Sequence, residues 1–242
     1  MILTAHQPAY LPWLGLFHKI AISDAFVSYD DVQYGKFSFI NRNKIKSAQG
    51  GIWLNVPLQS KNHFAKKIKE MKIDNSRDWR KKHWLSIYLN YKKAPYFNKY
   101  ADFFEQMYKK EWLYLTDLTE YSLNWFLNEL GINMPLYKAS ELNFQGAKSD
   151  LIIDMCKKLK ADFFIFGTLG KNYAEKEKFT KEGIKIYFQE YLHPKYNQLG
   201  KDFLPYMSIV DLLFNYGDRS LEVLMSGNIT KQDLLNNQEL YE

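Results

Sequence analysis

His6 closes a short apolar run, Ile2-Leu3-Thr4-Ala5, and opens the corner His6-Gln7-Pro8-Ala9-Tyr10-Leu11-Pro12-Trp13. An imidazole there can act as a general base or hydrogen-bond a phosphate, and it can equally cap its own loop. Pro8 and Pro12 each fix φ and push the preceding residue out of the helical region. Gln7, Tyr10 and Trp13 are thereby held on a stiff loop, where they are candidates to bind a substrate. Asp30 and Asp31 follow a second apolar run, with Gln33 two residues on. If the two runs pair as neighbouring strands, a carboxylate from this pair orients His6, binds Mg²⁺ or accepts a sugar hydroxyl. A turn closed by Asx capping has the same pattern.

Four further groups carry chemistry. Alternation in Asn41-Arg42-Asn43-Lys44 puts Arg42 and Lys44 on one strand face, as a phosphate clamp or as an exposed hairpin face, with Asn43 behind. Gly167 to Tyr173 joins a buried strand to a helix, which suits an anion-binding turn using Lys171, Asn172 and Tyr173. It is not a P-loop, because Ile165 stands where the first glycine belongs and Asn172 where Ser or Thr belongs. His193, Lys195 and Tyr196 recur in a second proline-stiffened loop, with His193 as another candidate base. Ser208, Asp211 and Asn215 fall on one helical stripe, either a satisfied buried network or the wall of a site. No His pair has zinc spacing and the single cysteine, Cys156, sits in a helical pattern, so the sequence carries no zinc or thiolate metal signature.

The elements that must position these groups follow from periodicity. Ile2–Ala5, Ala25–Tyr29, Phe163–Phe166 and Ile184–Phe188 read as buried strands, and a Gly50-Gly51 turn between Lys36–Lys46 and Ile52–Leu58 reads as a hairpin. Helices are predicted over Gly15–Ile22, Ser76–Tyr91, Tyr96–Lys109, Thr116–Leu130 with Thr116 as N-cap and Gly131 past its end, Ser149–Lys160 with Ser149 as N-cap, Glu175–Lys181 and Leu204–Tyr216. In the second of these, Trp79, His83, Trp84, Ile87, Tyr88 and Tyr91 mark one face. The pattern predicts an α/β fold with a mixed, mainly parallel sheet, flanking helices, an N-terminal β-hairpin and a helical insertion at about 76–131, all within one domain spanning 1–242.

A net charge of +6 favours anionic partners, although the runs Lys61–Lys82 and Lys171–Lys185 read most simply as solvated helix faces. Aromatic residues make up 17% of the chain, enough to fill a core and still supply stacking surfaces. No apolar run is long enough to span a bilayer and no signal peptide is evident, so a cytoplasmic protein is expected.

Taken together, His6-Gln7-Pro8 with Tyr10-Leu11-Pro12-Trp13, Asp30-Asp31-Val32-Gln33-Tyr34, Asn41-Arg42-Asn43, Trp53-Leu54 with Pro57, Gly170-Lys171-Asn172-Tyr173, and Leu204-Pro205 followed by Ser208 and Asp211-Leu212-Leu213-Phe214-Asn215 resemble the WbqC-like family. Its members are encoded among bacterial surface-polysaccharide (O-antigen) biosynthesis genes. The resemblance runs nearly end to end and implies that these clusters form one site. The first strand and its corner also look like those of nucleotidylyltransferases, but His6-x-x-x-Tyr10 replaces their paired histidines.

The expected function is therefore an enzyme of surface-glycan assembly that acts on a nucleotide-linked amino sugar by acyl or aminoacyl transfer to the sugar amine. His6 or His193 would take the proton, Asp30 or Asp31 would orient the base, and no cofactor is identified. The partners are the nucleotide-linked sugar or another anionic small molecule, and an acyl donor such as aminoacyl-tRNA. Two other functions share these residues: Mg²⁺-dependent nucleotidyl transfer with the metal on Asp30 and Asp31, and a non-catalytic nucleotide-sugar or glycan binding module.

Overall fold

The computed structural model describes residues 1–35, 38–59 and 66–237. Its centre is a five-stranded sheet in the order β5-β2-β1-β6-β7, built from β1 (Ile2–His6), β2 (Ala25–Ser28), β5 (Leu136–Lys138), β6 (Phe163–Phe166) and β7 (Lys185–Phe188). Every neighbouring pair is parallel. A separate antiparallel hairpin, β3 (Arg42–Ser47) and β4 (Gly50–Asn55), supplies the mixed character that the sequence predicts. The predicted start of its first strand at Lys36 lies outside the described residues, as does Lys61.

Parallel strands must be covered on both faces. On one face Leu3, Val27, Phe164 and Ile186 pack against α6 (Lys148–Leu159) and α7 (Lys176–Lys181). On the other, Ile2, Ile165 and Tyr187 pack with Ile22 and Leu234, and Phe26 joins a larger core. That core takes in α1 (Leu14–Ala21), α2 (Trp79–Tyr91), α3 (Phe97–Lys109), α4 (Leu115–Glu129), the hairpin and α8 (Ile209–Tyr216). In α2 the buried residues are Trp79, His83, Ile87 and Tyr91, one i, i+4 row, while Tyr88 faces solvent. Much of the aromatic content fills this core, as where Phe103 stacks on Trp125 at 3.7 Å. Short helices α5 (Ala139–Leu142), α9 (Ser220–Met225) and α10 (Lys231–Asn236) complete the chain. Among the described residues no helix is long and apolar enough to cross a membrane.

Three helix starts differ from the sequence prediction, each where a long-range hydrogen bond engages the start. Thr116 lies inside α4, whose flanking residue is Tyr114; the Leu115 N–H is bound by the Met71 carbonyl at 2.9 Å. Ser149 lies inside α6, and its hydroxyl instead accepts the Glu175 N–H from the neighbouring helix at 3.0 Å. Residues 204–207 are not helical. Tyr206 takes φ +61°, and α8 starts only where Ser208 N–H meets the Lys44 carbonyl (2.9 Å) and Ile209 N–H meets the Pro12 carbonyl (2.8 Å).

Gly217 ends α8 at φ +54°, ψ −127°, and a methyl group there would overlap the Tyr96 ring. Gly217→Ala is expected to destabilise the protein by about 2–5 kcal/mol, the sum of backbone strain and overpacking. Urea denaturation of the variant measures this, and a loss below about 1 kcal/mol would show that α8 re-forms its end freely.

Candidate functional site

The chain builds outward from β1 in two directions, through β2 to β5 on one side and through β6 to β7 on the other. The winding reverses beside β1, and ligands of such sheets bind outside the carboxyl ends of the strands at that reversal. His6 is the last residue of β1. The corner after it is fastened at several points. Tyr10 N–H meets the Ile40 carbonyl at 3.1 Å, the Asn43 amide donates to the Leu11 carbonyl at 2.6 Å, and Trp13 bridges to Ser208. Leu11 holds φ +45°, which this Asn43 clamp secures.

His6 Nδ1 lies 2.7 Å from the Gln7 carbonyl, so it carries the proton and leaves Nε2 as an acceptor. Burial drives the imidazole pKa down to about 3, with the Lys19 charge adding to the effect. Part of the residue still reaches solvent. Lys19, on the sheet side of α1, is buried and donates to the Ala5 carbonyl at 2.9 Å. Its burial lowers the ammonium pKa to about 7. A neutral imidazole and a lysine poised near neutrality therefore share the end of the central strand. Sequence reading passed over Lys19; the signal was a lone lysine in the apolar helix Leu14-Gly15-Leu16-Phe17-His18-Lys19-Ile20.

The two aspartates lie elsewhere in the edge. Asp30 is buried and binds Ser140 twice, accepting from its N–H at 2.9 Å and its hydroxyl at 2.6 Å, and so holds the start of α5. Asp31 pairs with Lys67 at 2.9 Å and with Lys69. Burial raises its pKa, but the hydrogen bonds from Lys69 and Lys67 outweigh this and hold it low. The His6 ring is oriented by the Gln7 carbonyl rather than by either carboxylate.

On one side of the corner an aromatic shelf runs from His6 across Trp13 (5.1 Å between rings) and Phe39 (5.5 Å) to Trp53 (5.9 Å). Phe39 and Trp53 are 44% and 43% exposed, enough for a ligand to reach them. Arg42 and Lys44 project from the same hairpin face, 4.7 and 4.8 Å from the Trp53 ring centre. Gln33 is exposed and bridges to Lys67. On the other side of the corner a cavity of about 210 Å³ opens between the strand ends and α4. Gln7, Ser28, Asn124 and Lys138 line it, with Phe26 and Leu123 beneath.

Most of the remaining predicted residues have their polar groups engaged in bonds within the fold. The Tyr10 hydroxyl is buried against His83 Nδ1 (2.8 Å) and the Tyr108 hydroxyl. His193 donates from Nδ1 to the Pro194 carbonyl (2.9 Å) and accepts the Tyr206 N–H at Nε2 (3.2 Å), so it pins its own loop. Lys171 pairs with Glu190, and Asn172 and Tyr173 end a short 3₁₀ turn. The Tyr196 hydroxyl binds Asp211 in a buried network, and Ser208 flanks α8 with its hydroxyl wholly enclosed and without a hydrogen-bond partner. Phe39 and Trp53, absent from the predicted site residues, complete the shelf; both are aromatics beside the predicted Arg42 and Lys44.

A parallel α/β sheet with an open corner at its winding reversal is the form in which ligands of this fold class bind at strand ends. A sequence model described as the WbqC-like protein family matches residues 7–223, and the chain belongs to that family. It is also similar to an uncharacterized protein of Mycobacterium tuberculosis, Rv1507c, at 35% identity over 220 residues, covering 90% of this chain and 95% of that protein.

Proposed function

We propose that this protein is an enzyme of bacterial surface-polysaccharide biosynthesis that acts on a nucleotide-linked amino sugar, joining an acyl or aminoacyl group to the sugar amine. The observation that carries this reading is the placing of two nitrogen bases, His6 and Lys19, at the carboxyl end of the central strand, with the Lys19 amine held on the Ala5 carbonyl. The nucleotide lies on the shelf, with its base against Trp53 or Phe39 and its pyrophosphate toward Arg42 and Lys44. His6 Nε2 accepts a hydrogen bond from the attacking amine and orients it. The amine nitrogen bonds to the acyl carbon, the bond to the donor's leaving group breaks, and the amine's proton must be removed. Lys19 is the better proton acceptor because its pKa lies nearer neutrality. Asp30 and Asp31, already held by Ser140 and by lysines, favour this reading over a metal-dependent nucleotidyl transfer.

A thermal-denaturation screen against nucleotide-linked amino sugars, nucleoside triphosphates and free nucleotides, with and without Mg²⁺, tests it. An amino-sugar nucleotide at 100 times its Kd should add about 2.7 kcal/mol without metal. Trp53→Ala should abolish most of that gain. Stabilisation by a triphosphate only when Mg²⁺ is present would overturn the reading, and a response to free nucleotides equal to that of the sugar conjugates would remove the sugar from it.

A further inference from the structure

The shelf and the cavity flank the same corner but differ in charge. The shelf presents Arg42 and Lys44. The cavity is lined by two carboxylates, Glu120 and Glu141, and one ammonium, Lys138, in a chain whose net charge is +6. Lys138 sits 2.7 Å from Glu120 and 3.7 Å from Glu141, so one carboxylate more than the lysine can neutralise faces this space. The Glu120 and Lys138 side chains are 41% and 38% exposed. An ion pair that open to water contributes little, so Glu120 can exchange its partner at small cost.

The cavity of about 210 Å³ has room for a sugar ring, and its lining is suited to one. Phe26 and Leu123 offer an apolar wall to the C–H face of a ring, while Ser28 and Asn124 offer hydrogen bonds to hydroxyls. Ser28 is the registered neighbour of His6 on the adjacent strand, about 5 Å away. The cavity thus opens one strand away from His6, with Gln7, the residue that follows it, in its wall.

We propose that the cavity between the strand ends and α4 is the subsite for the amine-bearing sugar ring, with Glu120 receiving the ammonium while the nucleotide occupies the shelf. The inference rests on the functional reading above and adds where the two halves of the substrate lie. The molecule it describes is dipolar, negative at the pyrophosphate and positive at the amine, and the corner matches it end for end. Binding brings the amine in charged; loss of its proton to the neighbouring bases then frees it from Glu120 to attack.

The test uses the whole chain and simple probes followed by protein-observed NMR: glucosamine, with glucose, N-acetylglucosamine and glycine as comparisons. Glucosamine is expected to shift the backbone amides of Thr119–Asn124 and Leu136–Lys138 saturably and more tightly than the three others. Glu120→Gln should weaken glucosamine about tenfold or more, the effect of losing a charge-assisted hydrogen bond, and leave glucose unchanged. Lys138→Met, which frees Glu120, should strengthen it. Equal binding of glucosamine, glucose and N-acetylglucosamine, or tighter binding of glycine, would overturn the assignment, as would indifference to Glu120→Gln in a variant that melts like the parent. These results are separable from failure of the functional reading. Cavity binding of glucosamine with no stabilisation by any nucleotide sugar would keep the subsite and discard the nucleotide. Stabilisation by a nucleotide sugar with shifts only around Trp53 would do the reverse.

Discussion

Asp211→Ala is expected to destabilise the protein by about 3–5 kcal/mol, the range for removing one partner from a buried charged network. Asp211 is fully buried, and its carboxylate accepts from the Tyr91 hydroxyl at 2.8 Å, the Tyr196 hydroxyl at 2.9 Å and the Gln198 amide at 2.8 Å. The Tyr91 hydroxyl in turn accepts the Lys46 N–H at 2.9 Å. One carboxylate thus joins α8, α2, the hairpin and the 193–206 loop. Alanine would strand the buried Tyr91 and Tyr196 hydroxyls, which keep their desolvation penalty, while the partly buried Gln198 amide retains its bond to the Leu204 carbonyl at 2.9 Å. Asp211→Asn retains one acceptor oxygen and should cost about 1–2 kcal/mol. The pH dependence of this group has a definite sign. Burial raises the Asp211 pKa, with the hydrogen bonds from Tyr91, Tyr196 and Gln198 opposing it. Its contribution is therefore fully present below the ordinary carboxylate range and falls as pH rises through the raised value. Urea midpoints of the parent and both variants measure these effects. A loss under about 1 kcal/mol for Asp211→Ala would show that the network does not hold these segments together.

Acidification from pH 8 to pH 5 is expected to remove about 2 kcal/mol of stability through His83 alone. This histidine is 6% exposed and takes the Tyr10 hydroxyl at Nδ1. Burial lowers its pKa to about 4, against a backbone hydrogen bond to Asn55 that raises it. A histidine depressed in the folded state binds its proton more readily when unfolded. Stability is then intact above about 6.5, the ordinary value, and drains away as pH falls toward 4. His6, lowered to about 3, acts in the same direction, but part of it reaches solvent and its share is discounted for that screening. Lys19 does the same at higher pH, across the span from about 10.5 down to about 7. His83→Gln should shrink the pH 8 to pH 5 loss by about 2 kcal/mol in paired urea titrations. An unchanged loss in that variant would mean His83 is already protonated in the folded protein.

Local pattern carried much of this fold. β6 falls where Phe163-Phe164-Ile165-Phe166 places it, the hairpin forms as predicted although it turns at Ala48-Gln49 and the two glycines already belong to β4, and α2 buries Trp79, His83, Ile87 and Tyr91 as their spacing requires. These elements are set by periodicity and turn chemistry within a few residues. What the sequence could not show depends on segments far apart in the chain. The start of α8 waits on carbonyls of Pro12 and Lys44, and Asp30 finds its partner at Ser140, 110 positions away. Either side of Asp30 reads the same in a loop that binds metal and in one that anchors a helix. Lys19 was hidden for a related reason. A lysine in an apolar helix resembles one that reaches past the core to water, and only packing reveals that its amine stays inside against Ala5.

The stitching of the corner to α8 also sets an order of events during synthesis. Trp13 pairs with Ser208, Ile209 with Pro12, and His18 with Ile229, so the first twenty residues complete their bonds with some of the last. A chain still growing from the ribosome has its sheet-edge residues early but cannot close the corner around them until Asp211 and its helix have emerged. Contacts this distant in sequence form slowly, because the loop between them must be ordered first. A nascent chain, or one ended before α8, would therefore carry the shelf aromatics without the scaffold that aligns them, and the corner would take shape only once α8 has emerged.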